Sequence, residues 1–275
     1  MATGNQIADF DVELPQQLHI LASDAGLTDL IHQHADEVEA DGTFTAEIEF
    51  PAPGLYHIYT DATPTGIGQQ VLRFDVTVGA ETAPGESKPA GAKVSSGPLL
   101  SSDGPYAVTL DASQLRADTE SAVSLLVEKD GSPATDLAPY LGVSAHAVFI
   151  RAEDLAYVHA HAMPGNEDQQ PHGAAAAEPH NMGSPVVGDH AMAMEGGTSA
   201  PAAGHGDHEA APANESGHGD HGSAPAIAVA PDMSLHVTPP AAGTYALWIE
   251  FIGGGEIRTV PFTIEIPGAD TGATN

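Results

Sequence analysis

The sequence predicts an all-β chain of two tandem β-sandwich units joined by a flexible linker, the second unit interrupted by a His/Met-rich insertion expected to be disordered. Three observations predict this. Short apolar runs of strand length recur between Gly/Pro turns, and no long amphipathic helix stands among them. A histidine pattern, H-x12-H-x-H, is written twice, at His19, His32 and His34 and again at His146, His159 and His161. Each copy precedes a similar closing piece, FPAPGLYHIYTD at 50–61 and PPAAGTYALWIE at 239–250. Such a repeat implies two copies of one folded unit.

The first unit spans 1–79. Its predicted strands are QLHILAS, DLIHQHA, GTFTAEIEF, GLYHIYTDA and QQVLRFDVTV, with turns at ADG (40–42) and PAPG (51–54). In FTAEIEF, Phe44, Ala46, Ile48 and Phe50 alternate with Thr45, Glu47 and Glu49, the period of a strand with one wet face. Only IADFDVELPQQ precedes His19, whereas the second histidine pattern follows a full run, SAVSLLVEKDGSPATDL at 121–137. A leader and a first strand are therefore expected to have been removed from the first unit. Residues 80–97, rich in Pro, Gly, Ser and Ala, read as a linker.

The second unit is assigned to 98–163 plus 227–268, followed by a tail at 269–275. Its runs PYAVTLDAS, AVSLLVEKDG, AHAVFIRA, LAYVHAHA, SLHVTPP, GTYALWIEF and EIRTVPFTIEI fit a seven-strand sandwich. LAPYLGVSA at 137–145 is long enough only for a turn or a brief 3₁₀ segment. Short strands at this spacing suggest an immunoglobulin-like or cupredoxin-like architecture.

Between the second histidine pattern and its closing piece, residues 164–226 hold seven histidines and nine acids but no aromatic residue, lysine or arginine. Such a segment cannot bury enough surface to offset about 1–2 kcal/mol of ordering entropy per residue, so disorder is expected.

Composition narrows the function. Seven basic residues against 38 acids give a formal charge of −31, which repels phosphate backbones and attracts cations. Nucleic acid is not an expected partner. The chain contains no cysteine, so disulfides and thiolate metal sites are excluded. No apolar stretch approaches the roughly 20 residues of a membrane-spanning helix. Enzyme signatures are missing too: no nucleophile elbow, phosphate loop or H-E-x-x-H helix occurs, and no recognisable carboxylate pair stands out. The chain is not expected to be an enzyme.

The histidines point to metal. On a strand, the two histidines of LIHQHA or YVHAHA leave the same face about 6–7 Å apart. With turns at SDAGLTD and RAEDLA, His19 and His146 come from the preceding strands to the same end of the sheet, giving one three-imidazole site per unit. A structural role for half-buried strand histidines is the competing reading. His57, with Ala246 in its place in the second unit, is read as surface decoration. In the insertion, HGDHE and HGDHG pair His205 with His208 and His218 with His221, and Met182, Met192 and Met194 add thioether sulfur. Imidazole with thioether favours copper, with zinc and nickel as alternatives.

From LHILASD to the closing pieces the chain resembles bacterial cell-envelope β-sandwich proteins of the YtkA-like, heavy-metal-associated kind. The resemblance rests on Leu18–His19, Asp29 to His34, Asp41–Gly42–Thr43–Phe44 and Phe50 to Tyr56. In the second unit it rests on Asp154–Leu155, His159–Ala160–His161 and Gly243–Thr244–Tyr245. Ala35 and Ala162 stand where that pattern has proline. The resemblance implies a periplasmic, secreted or surface protein linked to copper handling, with metal ions and a membrane metal transporter or envelope protein as partners. The expected function is metal buffering, delivery or resistance. Its rival is a structural envelope module in which the insertion is only a spacer.

Overall fold

The computed structural model of the chain describes residues 7, 9–11, 16–35, 38–79, 97–165 and 228–269. No helix occurs among the described residues, and the all-β expectation holds, with two sheets. Nearly all of the linker, the insertion and the tail lies outside them.

The first unit forms β1 (Phe10–Asp11), β2 (Leu18–Asp24), β3 (Leu30–His34), β4 (Gly54–Pro64) and β5 (Gln70–Val78). The second forms β6 (Leu99–Asp103), β7 (Tyr106–Asp111), β8 (Ser121–Lys129), β9 (Ser132–Pro133), β10 (Leu137–Ala138), β11 (Ala145–Arg151), β12 (Tyr157–Pro164), β13 (Asp232–Val237), β14 (Gly243–Gly253) and β15 (Glu256–Ile266). All seven predicted runs of the second unit are strands. LAPYLGVSA makes the short β10 and a turn bridged between Tyr140 and Val143, with Leu141 and Gly142 left-handed.

The repeated sequence is a repeated topology. In the first unit β3 and β4 flank β2 and β5 lies beyond β4, while in the second β12 and β14 flank β11 and β15 lies beyond β14. The second sheet continues from β12 through β13, β8 and β7 to β6, which returns against β15. It thereby rolls around an apolar core that includes Val108, Val123, Phe149, Leu247, Phe251 and Val260.

One expected strand is not formed. In residues 43–50 Phe44, Ala46, Ile48 and Phe50 are half-buried and the residues between them exposed, as the alternation predicts, but no strand pairs with the segment. In the second unit the run in the same place, β13, is held between β8 and β12. The first unit has no counterpart of β8 among the described residues, so the segment lacks that partner. The same shortage exposes β5: Leu72, Phe74 and Val76 are 58%, 49% and 36% exposed, whereas Val260, Phe262 and Ile264 of β15 are buried beside β6 and β7.

The two units share a second core. Strand alternation turns Ala147 and Phe149 into the rolled sheet and leaves His146, Val148 and Ile150 on its opposite face. There Val148, Ile150, Ala246 and Trp248 pack with Leu21, Leu27 and Tyr59 of the first unit. Leu27 adopts a left-handed backbone (φ 52°), uncommon for a bulky side chain, and its burial in this core offsets that cost. Polar contacts add to the join: Tyr59 Oη donates to the Leu155 carbonyl (3.0 Å), Arg73 Nη1 donates to the Asp154 carbonyl (3.1 Å), and the rings of Tyr59 and Tyr157 stack at 5.0 Å.

Candidate metal centre

Each histidine triad is set by a hairpin. In the first, the Asp24 carboxylate accepts the backbone N–H groups of Gly26, Thr28 and Asp29 and the Thr28 hydroxyl, which fixes the turn and hence the register. That register puts His19 opposite His34 and Leu21 opposite His32. The second hairpin repeats it, with His146 opposite His161 and Val148 opposite His159. The predicted convergence is met in both copies: His19, His32 and His34 bring three ring nitrogens within 4.8 Å of one another, as do His146, His159 and His161. Each triad can hold a metal ion.

The expected triad is present in each unit, and the two face each other across the shared core. Between triads, ring centroids lie 5.3 Å apart for His19 and His159, 5.5 Å for His32 and His146, and 5.7 Å for His32 and His159. Separations within the triads run from 4.7 Å (His159–His161) to 5.6 Å (His19–His32). Six imidazoles therefore form one cluster. The packing of Leu21 and Tyr59 on Val148 and Trp248 brings the two hairpins together, since these residues share strand faces with the histidines.

Two carboxylates complete the cluster, and the sequence reading missed both. Asp61 pairs with His19 across β4 and β2, and Glu250 pairs with His146 across β14 and β11. Each side chain reaches the opposite unit's triad. Glu250 Oε2 lies 2.6 Å from His32 Nδ1, accepting that N–H and leaving Nε2 to present its lone pair inward. Asp61 Oδ2 lies 3.8 Å from His159 Nδ1, beyond hydrogen-bond length, and is held by Gln69 Nε2 (3.0 Å) and Tyr157 Oη (3.3 Å). A carboxylate behind a ligating imidazole fixes its tautomer and raises its basicity. The signal was available: both closing pieces, GLYHIYTD and GTYALWIE, end in an acid.

The tautomer of His146 follows from its partner. The Tyr140 carbonyl can only accept, so His146 Nε2 donates to it (3.2 Å) and the lone pair of the neutral ring sits on Nδ1, 2.9 Å from His159 Nε2. His19 Nδ1 and His32 Nε2 lie 3.4 Å apart. Among the described residues, His34 Nε2 and His161 Nε2 are buried ring nitrogens with no hydrogen-bond partner. Buried polar atoms are rarely left so, and a metal ion would satisfy both.

Burial, reinforced by the neighbouring imidazoles, holds the rings of His34, His146, His159 and His161 neutral. The His34 imidazole is pushed down to about 3 and that of His161 to about 4, each chiefly by burial, with the charges His32 and His19 would carry adding to it. His146 and His159 lie far below the ordinary histidine range for the same first reason. Burial raises the Asp61 carboxyl, against the lowering effect of Gln69 and His19. Neutral imidazole is the form that can ligate a metal ion. A polar cleft lined by Gln17, Thr63, Gln69 and Asp61 opens onto His19, His159 and His161.

The remaining candidates fall elsewhere. His205, His208, His218, His221, Met182, Met192 and Met194 lie outside the described residues. His57 is not surface decoration: it is buried, with Nδ1 2.8 Å from Asp75 Oδ1, and belongs to neither triad.

No curated protein and no solved structure matches the chain. A family model described as "Domain of unknown function (DUF8832)" matches over residues 100–187 and 189–268, more than half of the chain. Its first segment carries β6 to β12, with His146, His159 and His161, and its second carries β13 to β15, with Glu250. The chain thus belongs to the DUF8832 family, through the strands that hold its second histidine triad and the carboxylate reaching the first.

Proposed function

We propose that this chain is an extracytoplasmic copper-binding protein that buffers or delivers the ion, with the six-histidine cluster as its ordered site and the insertion as a second, looser store. The observation that carries the metal reading is the pair of buried, partnerless ring nitrogens, His34 Nε2 and His161 Nε2, each within a converging triad. Copper is favoured over zinc and nickel because all six ring donors are imidazoles, for which copper heads the divalent affinity order. The thioethers of the insertion add donors that suit the reduced ion. The extracytoplasmic placement is supported by the resemblance to YtkA-like envelope proteins. No helix of the described residues is long and apolar enough to cross a membrane.

The chain's single tryptophan, Trp248, provides a local readout. It shares a strand face with Glu250 and packs in the core beneath the cluster, so a paramagnetic ion held there quenches its emission. The test is a titration of the full chain with Cu(II), Cu(I), Zn(II) and Ni(II), its seven insertion histidines replaced by Ser. Tight binding with Cu(II) quenching of Trp248 is expected, both disappearing on combining His34→Ala with His161→Ala. Glu250→Gln, which loses the carboxylate behind His32, should weaken binding about 10–100-fold. If the chain with intact triads takes up no ion tightly, the reading is wrong and the cluster is structural. Fractionation of the producing cells checks the placement; recovery in the cytoplasm would contradict it.

A further inference from the structure

If the triads are metal sites, their spacing says more than that each takes an ion. Imidazoles from opposite triads stand 5.3–6.2 Å apart by ring centroid across the interface, against 4.7–5.6 Å within the triads. Metal–nitrogen bonds are about 2.0–2.1 Å long, so an ion in one triad lies in the immediate surroundings of the other's ligands. Two such ions cannot be independent, and functional two-metal sites place their ions about 3.5–4 Å apart.

Charge sets what such a pair needs. The cluster contains two buried carboxylates, Asp61 and Glu250, 5% and 3% exposed. Each is contributed by one unit and directed to the other unit's triad. Two monovalent ions would be balanced by these carboxylates outright. Two divalent ions would leave two positive charges uncompensated in a buried place, a cost that a small anion bridging the ions lowers. The two carboxylates are not equivalent. Glu250 is tied to His32 and accepts from Thr259 Oγ1 (3.1 Å), whereas Asp61 stands at the polar cleft.

We propose that the six imidazoles form a single dinuclear centre built across the interface of the two repeats, which takes two ions and, when they are divalent, one small bridging anion. This deepens the metal-binding reading and rests on it. Neither repeat can build the centre alone, because each supplies three ligands and the carboxylate that faces the other's three. That dependence gives the internal duplication a chemical purpose.

The experiment loads Cu(II) into the full chain with its seven insertion histidines replaced by Ser. Protein-bound copper is counted and compared with the copper seen by electron paramagnetic resonance. Two ions per chain are expected, with an integrated resonance well below the total copper because the two spins couple. His32→Ala with His34→Ala should leave one ion whose resonance accounts for all the copper, and His159→Ala with His161→Ala should do the same. Two ions giving full, uncoupled intensity would overturn the dinuclear proposal while leaving metal binding intact. A single ion per chain would also overturn it. No bound copper at all would sink both the proposal and the reading beneath it.

Discussion

Acidified from pH 7 to pH 4, the metal-free protein is expected to lose stability steeply. An unfolded histidine titrates near 6.5. In the folded cluster burial holds His34 down at about 3 and His161 at about 4, and keeps His146 and His159 well below the ordinary histidine range. Below pH 6.5 the unfolded chain therefore binds protons that the folded chain refuses, and stability falls as pH drops from 6.5 toward the folded values. Each such imidazole adds up to about 1.4 kcal/mol per pH unit across that window. Asp61 opposes the trend, since its raised pKa lets the folded state take up a proton before the unfolded state does. Four groups act against one, so the net slope is positive with pH. Urea midpoints of the metal-free chain at several pH values check this; a midpoint unchanged between pH 6.5 and 4 would show that the rings are not held neutral. Replacing His34 and His161 by Leu should flatten the dependence.

Trp248→Ala is expected to cost about 3–5 kcal/mol, the range for emptying a large aromatic from a packed core. Trp248 is 2% exposed and lies between the sheets among Leu21, Tyr59, Val148 and Ile150. The cavity would open at the join of the two repeats and release the hold that keeps the triads facing. Metal affinity should fall together with stability, although no ligand has been touched. Denaturant unfolding followed by circular dichroism gives the first quantity and metal titration the second. A loss below about 1 kcal/mol would mean that Trp248 does not hold the repeats together.

Much of the site was legible because it is local. The spacing of His19, His32 and His34 fits two strands and one tight turn, and the strand period puts all three on one face. The second copy obeys the same rule, so one reading served for both. The facing of the triads was not legible, because it depends on Leu21, Tyr59, Val148 and Trp248 packing between units far apart in the chain. Glu250 and His32 are separated by more than two hundred residues, and no local pattern links them. In a chain with 38 acids, two that matter do not stand out by composition. The strand expected at FTAEIEF failed for a related reason: its alternation is real, but a strand also needs a neighbour to pair with.

The most direct measurement is a crystal structure of the copper-loaded protein with anomalous data collected at the copper edge. Anomalous peaks are expected among the rings of His19, His32, His34, His146, His159 and His161, within bonding reach of His34 Nε2 and His161 Nε2. A map with copper only on other parts of the chain, and none inside the six-ring cluster, would contradict it.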